Sequence, residues 1–294
     1  MAAFAFNPND LQRLNRLVFL PHVRSMDPES GTRRSHRAGD GNDFLDFRPY
    51  TPGDDVRKVD WNLYARLRQV FVRLNESPRR LSVSVLIDTS RSMGFGAPVS
   101  KLEQAQRLAC ALGFVAMRNG DRVFTAAFGS AVDRGIGPLT GARGLAALMR
   151  YLQSLDAGGQ SDLDAAVVRL RAARRDRGLI VIISDFLNVT GRENALLRCG
   201  AAGGTVLAVQ VLDPIDRGEG LEGRIRLRDS ETGRMVDVDL DRVALAEYQA
   251  AFDHDRAKFQ TFCGGAKRQY VTVATRDNYL AAVCDVLRSK AVLR

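Results

Sequence analysis

Apolar positions along the chain fall into two spacings. From Leu81 to Ile87 they are almost continuous: Val83, Val85 and Ile87 are β-branched, and the alternate positions Ser82, Ser84 and Leu86 carry no charge. A strand covered on both faces of a parallel sheet has this pattern. Val123–Phe128, Leu179–Ile183, Thr205–Leu212 and Tyr270–Ala274 are further strand-like runs. Between the runs the spacing changes to three and four. Behind Ser100-Lys-Leu-Glu103, a capping-box pattern, lies a stripe at Leu102, Ala105, Leu108, Leu112 and Val115. Helices are also predicted over 141–155, 241–262 and 277–290, and through Leu163, Ala166, Val167 and Leu170. Strands alternating with helices predict an α/β fold with a doubly wound, mostly parallel sheet. Two hairpins interrupt it: Ala131–Ile136 returns along Val123–Phe128 through Gly129-Ser130, and Arg224–Leu227 pairs with Met235–Val238 around Glu231-Thr232-Gly233.

The first part of the chain reads differently. Leu11, Leu14, Leu17 and Val18 have helical spacing with Arg13 and Arg16 between them, and residues 24–43 have the composition of a loop. From Phe44 to Trp61 Pro and Gly are too frequent for a helix, yet Phe44, Phe47, Tyr50, Val56, Val59 and Trp61 need cover. We expect an irregular segment packed through Trp61, in which Asp46, Arg48, Asp54, Asp55, Arg57 and Asp60 satisfy one another as partly buried pairs. Val70–Leu74 reads as a strand, and Pro78-Arg79-Arg80 leads into the central run. The expected division is therefore an N-terminal helix and irregular extension over 1–79, packing on a main domain over 80–294.

Composition narrows the class. With 45% hydrophobic and 26% charged residues, the chain has the balance of a globular protein with a substantial core. No run approaches the roughly 20 apolar residues of a membrane span, and the N-terminus lacks the apolar stretch of a secretion signal. The expectation is a cytoplasmic protein. The four cysteines (Cys110, Cys199, Cys263 and Cys284) are widely spaced and read as buried thiols. His22, His36 and His254 have no metal-ligand spacing. The net charge of +9 points to nucleic acid or an acidic protein partner. Its arginines, densest at Arg171, Arg174, Arg175 and Arg177, are not interleaved with aromatics as in single-strand binders.

Candidate chemistry gathers at strand ends. The central run stops at Asp88, and Asp88, Ser90 and Ser92 then present three oxygen side chains. Such residues also cap helices and form turns. In a doubly wound sheet, however, ligands bind beyond the carboxyl ends of strands where the strand order reverses. Asp185 ends its strand as Asp88 does, and with the reversal between the two strands they lie about 4.8 Å apart. Ser161, in the loop after Gly158-Gly159, leads into the helix before the Asp185 strand and can reach the same crevice. Two carboxylates and three hydroxyls suit a hard cation, Mg2+ or Mn2+, leaving it under-neutralised and open to an outside carboxylate.

This order and placement resemble the metal-ion-dependent adhesion site of von Willebrand factor A domains. Asp88, Ser90 and Ser92 match the family's Asp-x-Ser-x-Ser, Ser161 its second-loop threonine, and Asp185 its third-loop aspartate. The resemblance covers about residues 80–290 and departs from the pattern at Ser161, where a hydroxyl survives but the β-branch does not. Upstream, Arg48-Pro-Tyr50, Pro52-Gly-Asp54-Asp55-Val-Arg57, Asp60-Trp61 and Ala65-Arg66 look like the N-terminal signature of a bacterial subgroup, the domain of unknown function family fifty-eight. Genes of that subgroup commonly neighbour those of MoxR-type AAA+ ATPases. The resemblance implies a cytosolic adaptor or assembly factor partnering such an ATPase and supports no reaction; the under-neutralised cation and the +9 charge lead us to expect that the partner supplies an acidic residue.

Two other classes compete. A basic nucleic-acid-binding protein would need its arginines on one face of the fold. A Mg2+-dependent phosphoryl-transfer enzyme could use Asp88 as nucleophile, but Asp-Thr-Ser lacks the second carboxylate of an Asp-x-Asp phosphatase, and no Gly-x-x-x-x-Gly-Lys loop occurs.

Overall fold

The structure, a computed structural model, describes residues 8–19, 38–76, 81–129, 133–173, 178–187, 191–201, 204–230, 233–265 and 267–286. His22, His36, Pro78-Arg79-Arg80, Ser130, Ala131, Arg174, Arg175, Arg177, Glu231 and Thr232, named above, lie outside them. The chain divides into two compact units, one of residues 1–26 and 81–294 and one of residues 27–80.

In the larger unit the apolar runs become one six-stranded sheet. Its strands are β3 (Ser82–Asp88), β4 (Arg122–Phe128), β5 (Ile136–Leu139), β6 (Leu179–Ser184), β7 (Thr205–Leu212) and β10 (Arg268–Ala274), in the order β10-β7-β6-β3-β4-β5. All neighbours run parallel except β5, which returns antiparallel along β4 as a hairpin but spans Ile136–Leu139, beyond the Ala131–Ile136 expected. Four residues long and carrying Pro138, β5 forms one edge of the sheet.

From β3 the chain winds outward to β4 on one side, then crosses to β6 on the other and continues to β7 and β10. The strand order therefore reverses between β3 and β6, which pair in parallel with Ile87 opposite Ile183. Asp88 and Asp185 flank that reversal at the carboxyl ends.

Side-chain alternation sorts the core into two layers. Val83, Val85, Ile87, Val181, Ile183, Val209 and Val211 face one way, against Leu108, Leu112 and Val115 of the helix Lys101–Arg118 and Leu148 and Leu152 of the helix Gly141–Gln153. These two helices approach closely at Gly113, where a Cβ would lie 2.4 Å from Leu148 Cδ2. Leu86, Ile182, Val206 and Ala208 face the other way, against Leu163, Ala166 and Val167 of the helix Leu163–Ala173, Leu196 of Arg192–Ala201 and Phe259 of Arg242–Cys263.

The N-terminal helix Pro8–Leu14 also belongs to this unit. Leu14, Leu17 and Phe19 are buried in the first layer, and Asn119 Nδ2 donates to the Leu17 carbonyl at 3.2 Å. Between β7 and the helix Arg242–Cys263 the chain forms the expected hairpin, β8 (Gly223–Arg228) with β9 (Met235–Leu240). Among the described residues, no helix is long and apolar enough to cross a membrane.

The smaller unit is more regular than its composition suggests. β1 (Ala38–Pro49) pairs antiparallel with β2 (Phe71–Glu76), and its irregular register absorbs extra residues between Gly39 and Asp46. Asp60 starts a short helix, Trp61–Leu67, by accepting from the Asn62 and Leu63 amides. Side-chain capping therefore outweighs the Pro and Gly just upstream. Trp61 does not serve as the expected anchor: it is 64% exposed and meets Tyr64 edge-on. The charge pairs are partly buried as expected, on the carboxylate side: Asp54 is 17% and Asp60 11% exposed. Asp54 receives both Arg48 nitrogens at 2.5 and 2.7 Å and the Thr51 amide and hydroxyl at 2.8 Å, but Arg48 is 40% exposed, and Arg73, paired with Asp60, is 55% exposed. Pairs so exposed contribute little to stability.

Candidate functional site

β3 ends in a carboxylate that has no contact with water. Asp88 is fully buried, in a position normally taken by an apolar residue or a paired charge. Its Oδ1 accepts from the Ser90 amide at 2.8 Å, and its Oδ2 accepts from the hydroxyls of Ser161 at 3.0 Å and Ser184 at 2.7 Å. Burial pushes the Asp88 carboxyl above its ordinary value, while the Ser184 and Ser90 bonds pull it down; the nearby charge of Asp185 adds to the upward shift.

Three loops bring these groups together. Ser90 opens a 3-10 turn, Arg91–Gly94, and its hydroxyl lies 3.1 Å from that of Ser92. The glycine loop is held to the β3 loop by two backbone bonds, Gly158 N–H to the Thr89 carbonyl at 2.7 Å and Arg91 N–H to the Gly159 carbonyl at 3.0 Å. Gly129 permits the crowding, since a Cβ there would lie 3.1 Å from the Thr89 hydroxyl and 3.2 Å from the Gly158 carbonyl. Ser161, two residues beyond the second of these bonds, therefore reaches Asp88.

The third loop leaves β6. Ser184 donates to Asp88 and accepts from the Phe186 amide at 2.9 Å, so its hydroxyl joins two strand ends. The turn puts Phe186 in the left-handed region, at φ 51°, which costs a bulky side chain roughly 1–3 kcal/mol. The surroundings hold it there. The Phe186 ring is buried against Phe259 with centroids 5.1 Å apart, and Arg192 Nη1 donates to its carbonyl at 3.0 Å. Asp185 is consequently fixed through its backbone, where Gln210 Nε2 reaches its carbonyl at 2.7 Å.

Asp185 also carries a partner that sequence reasoning did not anticipate. Its Oδ2 accepts from Lys101 Nζ at 2.8 Å and its Oδ1 from the Leu187 amide at 3.2 Å. Lys101 is 1% exposed and donates as well to Asp216 Oδ1 at 3.0 Å, in the 3-10 turn Pro214–Arg217 after β7. Burial alone would lower the Lys101 pKa, but the two carboxylates outweigh it and hold the ammonium above its ordinary value.

The five expected residues thus fall into linked groups. Ser161 and Asp88 touch, Ser90 and Ser92 touch, and the Ser90 amide joins the two sets. Asp185 joins through its charge on Asp88 and through its neighbour Ser184. Ser184, Lys101 and Asp216 are the unanticipated members. One signal was present: Lys101 is the first residue of a helix, where the macrodipole disfavours a cation.

Chemically the donors are all oxygen, two of them carboxylates, with hydroxyls that can rotate to offer lone pairs. That set fits a hard divalent cation. Among the described residues, no group of three or more His, Cys, Asp or Glu could hold a metal. A cation at Asp88 would therefore depend on the serine hydroxyls.

The model of the family described as protein of unknown function DUF58 matches residues 46–258. The chain belongs to the DUF58 family. A relative, an uncharacterized protein of Mycobacterium tuberculosis (strain ATCC 25618 / H37Rv), is 30% identical over 256 residues, 86% of this chain and 80% of that protein. In fold this DUF58 chain is similar to BatB, a conserved hypothetical protein from Bacteroides thetaiotaomicron, at 19% identity and a TM-score of 0.45 over 72% of this chain and 98% of that one. It is also similar to the VWA domain of SpRpn10, at 12% identity and a TM-score of 0.42 over 71% of this chain and 95% of that one.

Proposed function

We propose that this DUF58 chain is a protein-binding module with a divalent-cation site. Asp88, Ser90, Ser92, Ser161 and Asp185 would hold Mg2+, or Mn2+ in its place, and a partner's acidic residue would complete the shell. The observation that supports this most is the burial of Asp88 at the strand-order reversal, with hydroxyls from the glycine loop and from the end of β6 turned onto it. A buried carboxylate is costly unless it is hydrogen-bonded and paired with a cation, and the contacts described for Asp88 are hydrogen bonds. When bound, the ion supplies a positive centre for an outside carboxylate. Asp88 and Asp185 supply charge, the serines supply neutral oxygens, and the backbone bonds between the glycine loop and the β3 loop keep Ser161 in place.

The partner we propose is a MoxR-type AAA+ ATPase, on the strength of the family resemblance and of the +9 charge that would steer an acidic surface. We take the chain's role as binding rather than catalysis, and its location as the cytoplasm. Calorimetric titration with Mg2+ and Mn2+ tests the ion. Pull-down of the ATPase in Mg2+ and in EDTA, at low and raised salt, tests the partner. Capture that ignores EDTA and survives Asp88→Ala would reject the metal-bridged mode and leave a basic docking surface.

A further inference from the structure

Lys101 is costly where it stands. Its ammonium is removed from water, and it starts a helix of 18 residues, Lys101–Arg118, whose dipole opposes a cation at that end. An apolar residue of similar volume would commonly serve stability as well or better than a buried ion pair. The compensation comes from Asp185 at 2.8 Å, on the loop after β6, and Asp216 at 3.0 Å, on the turn after β7. Asp216 is fixed in its turn. Its Oδ2 accepts from the Asp213 amide at 2.8 Å, and its carbonyl accepts from Tyr248 Oη at 2.7 Å. Asp213, the other carboxylate on that turn, is bound to the Thr275 hydroxyl at 2.6 Å and the Ile215 amide at 3.1 Å. The ammonium therefore has a rigid anchor on one side and a candidate cation ligand on the other.

We propose that Lys101 is a positioning residue of the cation site, and that Asp216 acts on the site through it. The ammonium holds Asp185 Oδ2 and places a positive charge next to the crevice, which weakens the site's hold on a divalent ion. Asp216 takes up part of that charge and so relieves the weakening. The inference rests on the metal-site reading above. It adds that two residues outside the ligand set fix how tightly the ion is held, with opposite signs.

Both signs can be read from one titration. Mn2+ binding is followed by electron paramagnetic resonance of the free ion, with a melting curve for each variant as a check of folding. Lys101→Met keeps the bulk and removes the charge, and should tighten Mn2+ by about tenfold or more, since unit charges a few ångströms apart interact by more than the tenfold equivalent even at surface-like dielectric. Asp216→Asn keeps the shape and leaves the ammonium to Asp185 alone, and should weaken Mn2+ several-fold. It is the milder change and remains informative if Lys101→Met does not fold. Lys101→Arg, which restores a cation, should lie closer to the unmodified protein than Lys101→Met does. If the unmodified protein binds Mn2+ and the folded variants bind it equally, or if both shift the same way, Lys101 is a structural residue only and the proposal falls alone. If the unmodified protein binds no Mn2+, the metal reading falls and takes this one with it.

Discussion

Replacing Asp88 by Asn separates the charge of the site from its packing. The side chain keeps its size, and the Ser90 amide still finds an oxygen. The Ser161 and Ser184 hydroxyls, which donate to Oδ2 in the native site, can turn and accept from the new amide. The hydrogen-bond count therefore survives while the buried charge is removed. In metal-free buffer the variant should be at least as stable as the parent. The sign follows from linkage: Asp88 has a raised carboxyl, so its favourable contribution is complete below the unfolded-state value and is lost as pH rises through the folded-state value. The advantage of Asn should thus grow with pH.

Mg2+ should reverse the order. An ion bound only to the folded state at a hundred times its Kd adds about 2.7 kcal/mol, which for a unit of this size raises Tm by about 5–11 °C. The parent should show that rise and Asp88→Asn little or none of it. The assay is thermal unfolding followed by circular dichroism in EDTA and in graded MgCl2. A parent whose Tm ignores Mg2+, or an Asn variant that gains as much as the parent, refutes the reasoning.

Ser161→Thr adds a β-branch that stiffens χ1 and should bind Mn2+ at least as tightly as serine; a loss of more than about tenfold, some 1.4 kcal/mol, would mean that the added methyl collides within the crevice. Trp61→Ala removes an exposed ring and should change stability by no more than about 0.5 kcal/mol; because Trp61 is the chain's single Trp, denaturant unfolding should be read by circular dichroism, and a loss above about 2 kcal/mol would restore it as an anchor. Burial pushes the thiols of Cys110, Cys199 and Cys263 up to about 12. At pH 8 they should resist Ellman's reagent until denaturant is added, and rapid labelling of the native protein would contradict their burial.

The sheet was legible because its central strands are apolar on both faces. Val83, Val85 and Ile87 serve one layer and Leu86 the other, a pattern few other structures produce. Asp88 stood out because it broke that run, and Asp185 because it broke a second one. Ser161 followed from the glycines before it. Ser184 did not, since the last residue of a strand reads as part of the ladder until the neighbouring strand is known. Lys101 and Asp216 were hidden for a related reason. Each has an ordinary local explanation, one inside a capping box and the other in a turn after proline, and only the fold brings them to Asp185. In the smaller unit, composition misled. Pro and Gly dominate the stretch before Trp61, yet the Asp60 cap starts a helix and β1 finds a partner in β2 about twenty residues beyond it.

The two rims of the main sheet differ in what they offer another chain. At β5 an incoming segment would meet four residues in broken register, with no amide hydrogen at Pro138. At the opposite rim β10 runs seven residues in unbroken register with β7, and among the described residues no strand pairs with its outer side. Growth of that sheet from molecule to molecule would need two receptive rims on every subunit, and among its described strands only the β10 rim is long and in unbroken register. Extension of the main sheet through β10 on both partners would therefore end at a closed twofold pair.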